Sequence, residues 1–181
     1  MILGMSTHAF TLLHVTVSLL AIASGIVVLG GLLANQLYRH WNSLFLVTAT
    51  LTSITGFAFP NAHITPGIVV GVVSLIALVL AAIALHVYHL NRAFRGIFVV
   101  STTVALYFEI FVLVAQLFRH VALLNALDRT GQGSAFAGAQ ILVLAIFTWL
   151  GIAAVKRFTS GSFAGSQTTT AHPPSMESQS E

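Results

Sequence analysis

The stretch GIFVVSTTVALYFEIFVLVAQLFRH, residues 96–120, decides the fold class. At about 1.5 Å of rise per residue it is long enough to cross a hydrocarbon core of roughly 30 Å. It holds one ionisable group deep inside, Glu109. On a helical period Thr102, Ala105, Glu109, Gln116 and His120 fall along one side, while Ile97, Val100, Val104, Phe111, Val114 and Phe118 populate the others. A carboxylate at the bilayer centre costs at least ~2.5 kcal/mol, so Glu109 is expected to face protein or a wet cavity rather than lipid. No Lys or Arg lies at the same depth to pair with it.

The rest of the chain agrees with this reading. Of 181 residues, 57% are apolar and only 6% charged, far below the charged fraction of a soluble domain. The formal net charge of +3 reads as membrane topology and not as a nucleic-acid footprint. Cysteine is absent, which removes disulfides, thiol chemistry and cysteine-ligated clusters and leaves histidine as the only soft ligand present in number. The start of the chain lacks a basic region before its apolar run, so the first helix is expected to stay in the protein.

Five spans are expected, at about 8–33, 41–59, 66–89, 96–120 and 136–155, joined by short connections that place successive helices antiparallel. The domain would be an all-α integral membrane bundle over 1–157. A tail, 158–181, rich in Ser, Thr, Gln and Gly with Pro173 and Pro174, is expected to be disordered. Arg39, Arg92, Arg95, Lys156 and Arg157 fall on one side of this arrangement, and Arg119 and Arg129 on the other. Positive residues are retained in the cytoplasm, so the N-terminus is expected outside and the tail inside, with Tyr38 and Trp41 as interfacial anchors.

Small and hydroxyl residues indicate the packing faces, because helices in lipid associate where backbones can approach. His14, Ser18, Ala21 and Gly25 share a face of the first helix; Thr48, Thr52, Thr55 and Gly56 lie together on the second; Gly67, Gly71 and Ser74 do so on the third. Gln140 and Thr148 mark the inward side of the fifth. The expected polar core is therefore His14, Thr52, Thr55, Glu109, Gln116 and Gln140.

The histidines divide into two groups. His8, His14, His63 and His120 lie at the outer end, whereas His40, His86 and His89 lie at the inner end and His172 in the tail. His14, about 9 Å below the start of its helix, is the one inside the apolar zone. With His63 and His120 it forms the candidate set for a metal or haem b, although no two outer histidines show a ligand spacing on one helix. His86 and His89, followed by Asn91, Arg92 and Arg95, suit contact with lipid phosphates. There is no phosphate-cradling glycine loop, HExxH or nucleophile elbow. Only four acidic residues occur, Glu109, Asp128, Glu177 and Glu181.

The runs LTSITGFAFP (51–60), ALY (105–107) and FVLVAQLF (111–118) resemble a family of small, uncharacterised bacterial inner-membrane proteins. His14, Ser18, Gly25, Gly31, Gly71, Ser74 and Gln140 are similar to that family's pattern too. The resemblance extends to about Arg157 and implies a multi-pass protein of the bacterial cytoplasmic membrane with no activity to carry over. The family usually has Asn where Glu109 stands, so what the resemblance implies there is a hydrogen-bonding residue. The loop 123–133 also departs from the family's proline-containing version.

The leading expectation is a non-enzymatic membrane component without a cofactor, whose polar core either holds the bundle together or receives a partner or small ligand from the outer side, with a membrane protein or a second copy of the chain as the expected partner. Alternatives are a haem- or quinone-linked redox protein using the outer histidines, and a proton- or cation-coupled permease centred on Glu109. The lipid bilayer is an expected partner in each case, and nucleic acid in none.

Overall fold

A computed structural model describes residues 6–59, 66–127 and 133–160. Among the described residues the regular structure is entirely helical: α1 (Thr7–Leu33), α2 (Arg39–Phe57), α3 (Pro66–Ala82), α4 (Arg92–His120), α5 (Ala122–Leu127) and α6 (Ser134–Ser160). The tail beyond residue 160, the connection 60–65, and Asp128 and Arg129 lie outside the described residues.

Local chemistry sets the helix ends. Ser6 caps α1 by accepting the Ala9 amide at 3.2 Å. At the other end Asn35 takes a left-handed conformation (φ 56°), with Asn35 N–H bonded to Leu32 O and Gln36 N–H to Gly31 O. That pair of bonds is a Schellman motif, and Asn is one of the few residues that enters it at low cost. The α3–α4 corner is less regular. After Ala82 the helix widens into a π turn, Ile83–Val87, closed by Tyr88 N–H to Ile83 O at 3.2 Å. His89 (φ 46°) and Leu90 (φ 56°) then both stand in the left-handed region before Asn91 starts α4. The Tyr88 and Phe94 rings stack across the corner at 3.7 Å.

α4 is the centre of the bundle, packed against α1, α3 and α6, with a smaller contact to α2. Its buried positions Phe98, Val99, Thr102, Ala105, Leu106 and Glu109 recur at helical spacing. Of these, Phe98, Val99, Ala105 and Leu106 meet Ala21, Val28 and Leu32 of α1, Phe45 and Ala49 of α2, Ala77 and Ala81 of α3, and Ala154 and Phe158 of α6 in one core. Alanine and glycine at these crossings let the backbones approach.

The outer surface is the reverse of a soluble protein's. Leu12, Leu19 and Ile26 of α1, Ile76 and Val79 of α3, and Ile141, Leu142, Trp149 and Ile152 of α6 are all exposed. A contiguous apolar surface of this kind requires a non-aqueous neighbour. Among the described residues, four helices are long and apolar enough to cross a membrane: Thr7–Leu33, Gly67–Val87, Ala93–His120 and Ser134–Phe158.

The second expected span differs from these. α2 has 19 residues, but it opens on Arg39, His40, Trp41, Asn42 and Ser43 and carries Thr48, Thr50, Thr52, Ser53 and Thr55. Much of that polarity is satisfied within the helix. Asn42 donates to Tyr38 O at 2.8 Å, Thr48 to Leu44 O at 2.7 Å and Thr52 to Thr48 O at 2.9 Å. A further difference is α5, which lies in the stretch read from the sequence as a loop. Val121 is extended and breaks the chain away from α4, and six residues then form a short helix.

Candidate functional site

The clearest side-chain contact between two helices is made by His14. Its Nδ1 lies 2.7 Å from Thr55 Oγ1, joining α1 to α2. The threonine hydroxyl has one proton, and Leu51 O accepts it at 2.7 Å. Both bonds form together only when His14 Nδ1–H donates to Thr55. With both bonds made, the neutral imidazole is the tautomer whose Nε2 carries the lone pair, and Nε2 has no hydrogen-bond partner among the described residues. Phe59 lies edge-on to the His14 ring at 5.3 Å and to Phe10 at 5.2 Å. Gly56 leaves room beside the imidazole, since a Cβ there would stand 3.7 Å from His14 Cε1. The result is a half-buried imidazole against the Phe59 ring, which in turn packs on Phe10, near one end of the bundle.

The other expected core residues divide by position. Thr52 is buried and bonds back along its own helix. Gln140 of α6 donates from Nε2 to Phe111 O of α4 at 3.1 Å, while its Oε1 is buried without a partner. Glu109 is 7% exposed, so the expectation of a protein environment is met. Among the described residues no hydrogen bond reaches its carboxyl. Thr102, two turns before it on the same face, also has a buried hydroxyl without a partner, as does Ser74 of α3. Buried polar groups are normally paired, so these atoms mark where internal water or a ligand would be bound.

Gln116 and His120 do not join the core. Both were expected on the Glu109 stripe, and both are exposed. Toward that end of α4 it is Phe118 that turns inward, packing edge-on against Phe136 of α6 at 5.6 Å. Thr148, expected inward, is exposed and bonds back to Leu144 O at 2.7 Å. Ser18 is half-buried, whereas Ala21 and Gly25 on the same face are buried.

Of the three histidines considered as metal or haem ligands, His14 is bonded to Thr55, His120 is exposed, and His63 lies outside the described residues. Among the described residues no group of three His, Asp or Glu side chains stands close enough to hold a metal ion. A metal-bound imidazole does characteristically donate its second N–H to an oxygen, as His14 does to Thr55. The aromatic walls and the tautomer are the features that sequence reasoning missed. Phe10 and Phe59 at the ends of consecutive spans were the available signal.

No family model, no curated protein and no solved structure matches the chain. What the protein does must therefore be argued from its own residues.

Proposed function

We propose that this is a non-enzymatic, multi-pass component of a bacterial cytoplasmic membrane that takes a small hydrogen-bond-donating ligand or a partner side chain at His14. The five-span topology, with α2 as the polar member, belongs to this reading. α2 is flanked on both sides by apolar helices, and several of its polar groups, Asn42 Nδ2, Thr48 and Thr52, bond back to carbonyls one turn earlier. The N-terminus would be outside, because Arg39, Arg92, Arg95, Lys156 and Arg157 all belong to the opposite end.

The observation that carries the proposal is the hydrogen-bond chain His14 Nδ1–H to Thr55 Oγ1–H to Leu51 O. In the neutral imidazole it leaves Nε2 as an acceptor beside Phe59, which packs on Phe10. An O–H or N–H donor with an adjoining apolar body would satisfy both the Nε2 lone pair and the phenyl walls. The test is a mass-spectrometric comparison of small molecules and partners retained by wild type and by His14→Phe after extraction in mild detergent. A species held by the wild type and missing from a folded His14→Phe variant is expected. Identical retained sets would overturn the reading.

A second reading, a haem- or quinone-linked redox protein, draws on the same Nδ1–H to oxygen bond. Optical spectra before and after dithionite separate the two for haem. The leading reading expects a featureless spectrum from protein expressed with haem available, and a Soret band that shifts on reduction would put the redox reading first.

A further inference from the structure

At the opposite end of the bundle the corner after α3 borders an open cavity of about 390 Å³ lined by Leu37, Arg39, Leu85, His89, Leu90 and Arg95. Three of its six walls are basic side chains and three are leucines; none is a carboxylate. Arg39 begins α2, His89 belongs to the left-handed corner, and Arg95 is in the first turn of α4, so three separate segments bring charge to one space.

The corner is built to hold this arrangement. Two consecutive non-glycine residues in the left-handed region are costly and persist only where the surroundings over-determine them. Here the π turn, the Leu90 N–H to Ala84 O bond at 3.1 Å and the Tyr88–Phe94 stack hold them. Arg95 Nε donates to Leu90 O at 3.2 Å, and its guanidinium carbon lies 5.9 Å above the Phe158 ring. Those contacts fix the plane of the guanidinium on the cavity wall instead of leaving it a long, mobile charge.

We propose that this cavity binds the phosphate of an anionic phospholipid. Two guanidinium groups and an imidazole match the several acceptor oxygens and negative charge of a phosphate. A soluble anion makes no use of Leu37, Leu85 and Leu90, whereas a lipid's glycerol and first acyl carbons would lie against them. The exposed Tyr38, Trp41 and Tyr88 at the same end suit the headgroup level of a bilayer.

The experiment is native mass spectrometry of the full chain from mixed micelles with equal phosphatidylglycerol and phosphatidylcholine. Three exposed side chains are changed singly: Arg39→Gln, His89→Asn, which tolerates the left-handed backbone, and Lys156→Gln, a basic residue at the same end outside the cavity. Retention of phosphatidylglycerol over phosphatidylcholine is expected to fall about fivefold in Arg39→Gln, less in His89→Asn, and to be unchanged in Lys156→Gln. An equal fall in all three would mean a diffuse surface potential and overturn the site, as would no fall in Arg39→Gln. Inorganic phosphate added without lipid and binding as tightly as the lipid does would assign the cavity to a soluble anion and overturn the lipid reading.

Discussion

Gly25 of α1 and Leu106 of α4 meet so closely that a Cβ on the glycine would stand 2.6 Å from Leu106 Cδ1, with the Phe45 ring of α2 at 2.9 Å. Three helices therefore cross at one residue without a side chain. Overpacking of such a contact typically costs about 1–3 kcal/mol. Gly25→Val is expected to lower the melting temperature in detergent, and Leu106→Ala in the same chain to recover part of the loss. Two independent, additive losses would show that the pair does not couple.

The His14–Thr55 bond gives a second expectation. Thr55→Val keeps the shape but removes the acceptor of His14 Nδ1–H, leaving the proton unpaired in a half-buried place. The cost is expected to be about 1 kcal/mol, in the range of interhelical hydrogen bonds in membrane bundles. Thr55→Ser, which retains the hydroxyl, is expected to lie close to wild type. Nitrogen NMR of labelled histidine in the wild type is expected to show Nδ1 protonated and Nε2 bare, and the reverse tautomer would remove the basis for the proposed site.

Helical period and small residues made much of the fold legible in the sequence, and little of the site. The burial of Thr102, Ala105 and Glu109 follows from spacing along α4, but spacing alone cannot say how far the neighbouring helices extend. Gln116 and His120 keep the right direction and still emerge, because α6 meets this end of α4 through Phe136 on the Phe118 side. Asn35 is of a residue type that enters the left-handed region at low cost, whereas His89 and Leu90 hold the same backbone conformation with no Gly or Asn to mark it. α5 is too short to display a period. Among the candidate site residues, His14 and Thr55 were both named, but their pairing depends on the rotation of two helices about their own axes, which tertiary packing decides.

Gln140 tests how much stability a half-satisfied interhelical amide contributes. Its Nε2 reaches Phe111 O, while Oε1 is buried without a partner. Gln140→Leu removes one good bond and one unpaired acceptor together, so the net change is expected to stay within about 1 kcal/mol. Gln140→Glu would place a carboxyl at the same position, at a cost of about 2.5 kcal/mol or more if it is charged deep in the bilayer. Thermal unfolding in one detergent is therefore expected to rank wild type and Gln140→Leu together and Gln140→Glu well below. A large loss in Gln140→Leu would mean that the Phe111 contact is worth more than interhelical bonds usually are.

Glu109 gives the sharpest test of structure against transport, because the residue is only 7% exposed and its carboxyl meets no hydrogen-bond partner among the described residues. A polar group in that position costs about 1–3 kcal/mol of desolvation, and an apolar replacement of similar shape recovers it. Glu109→Leu is therefore expected to raise the melting temperature, with Glu109→Gln close to wild type. A residue that lowers stability and is nevertheless present invites a function, so both variants are to be reconstituted in liposomes carrying a pH-sensitive dye. Proton uptake driven by an imposed potential, present in wild type and lost in Glu109→Gln with the fold intact, would bring the permease reading forward. Equal uptake in the two proteins would end the proton-carrier role. A fall in stability for Glu109→Leu would mean that the carboxyl is bonded after all, through internal water or a residue outside those described.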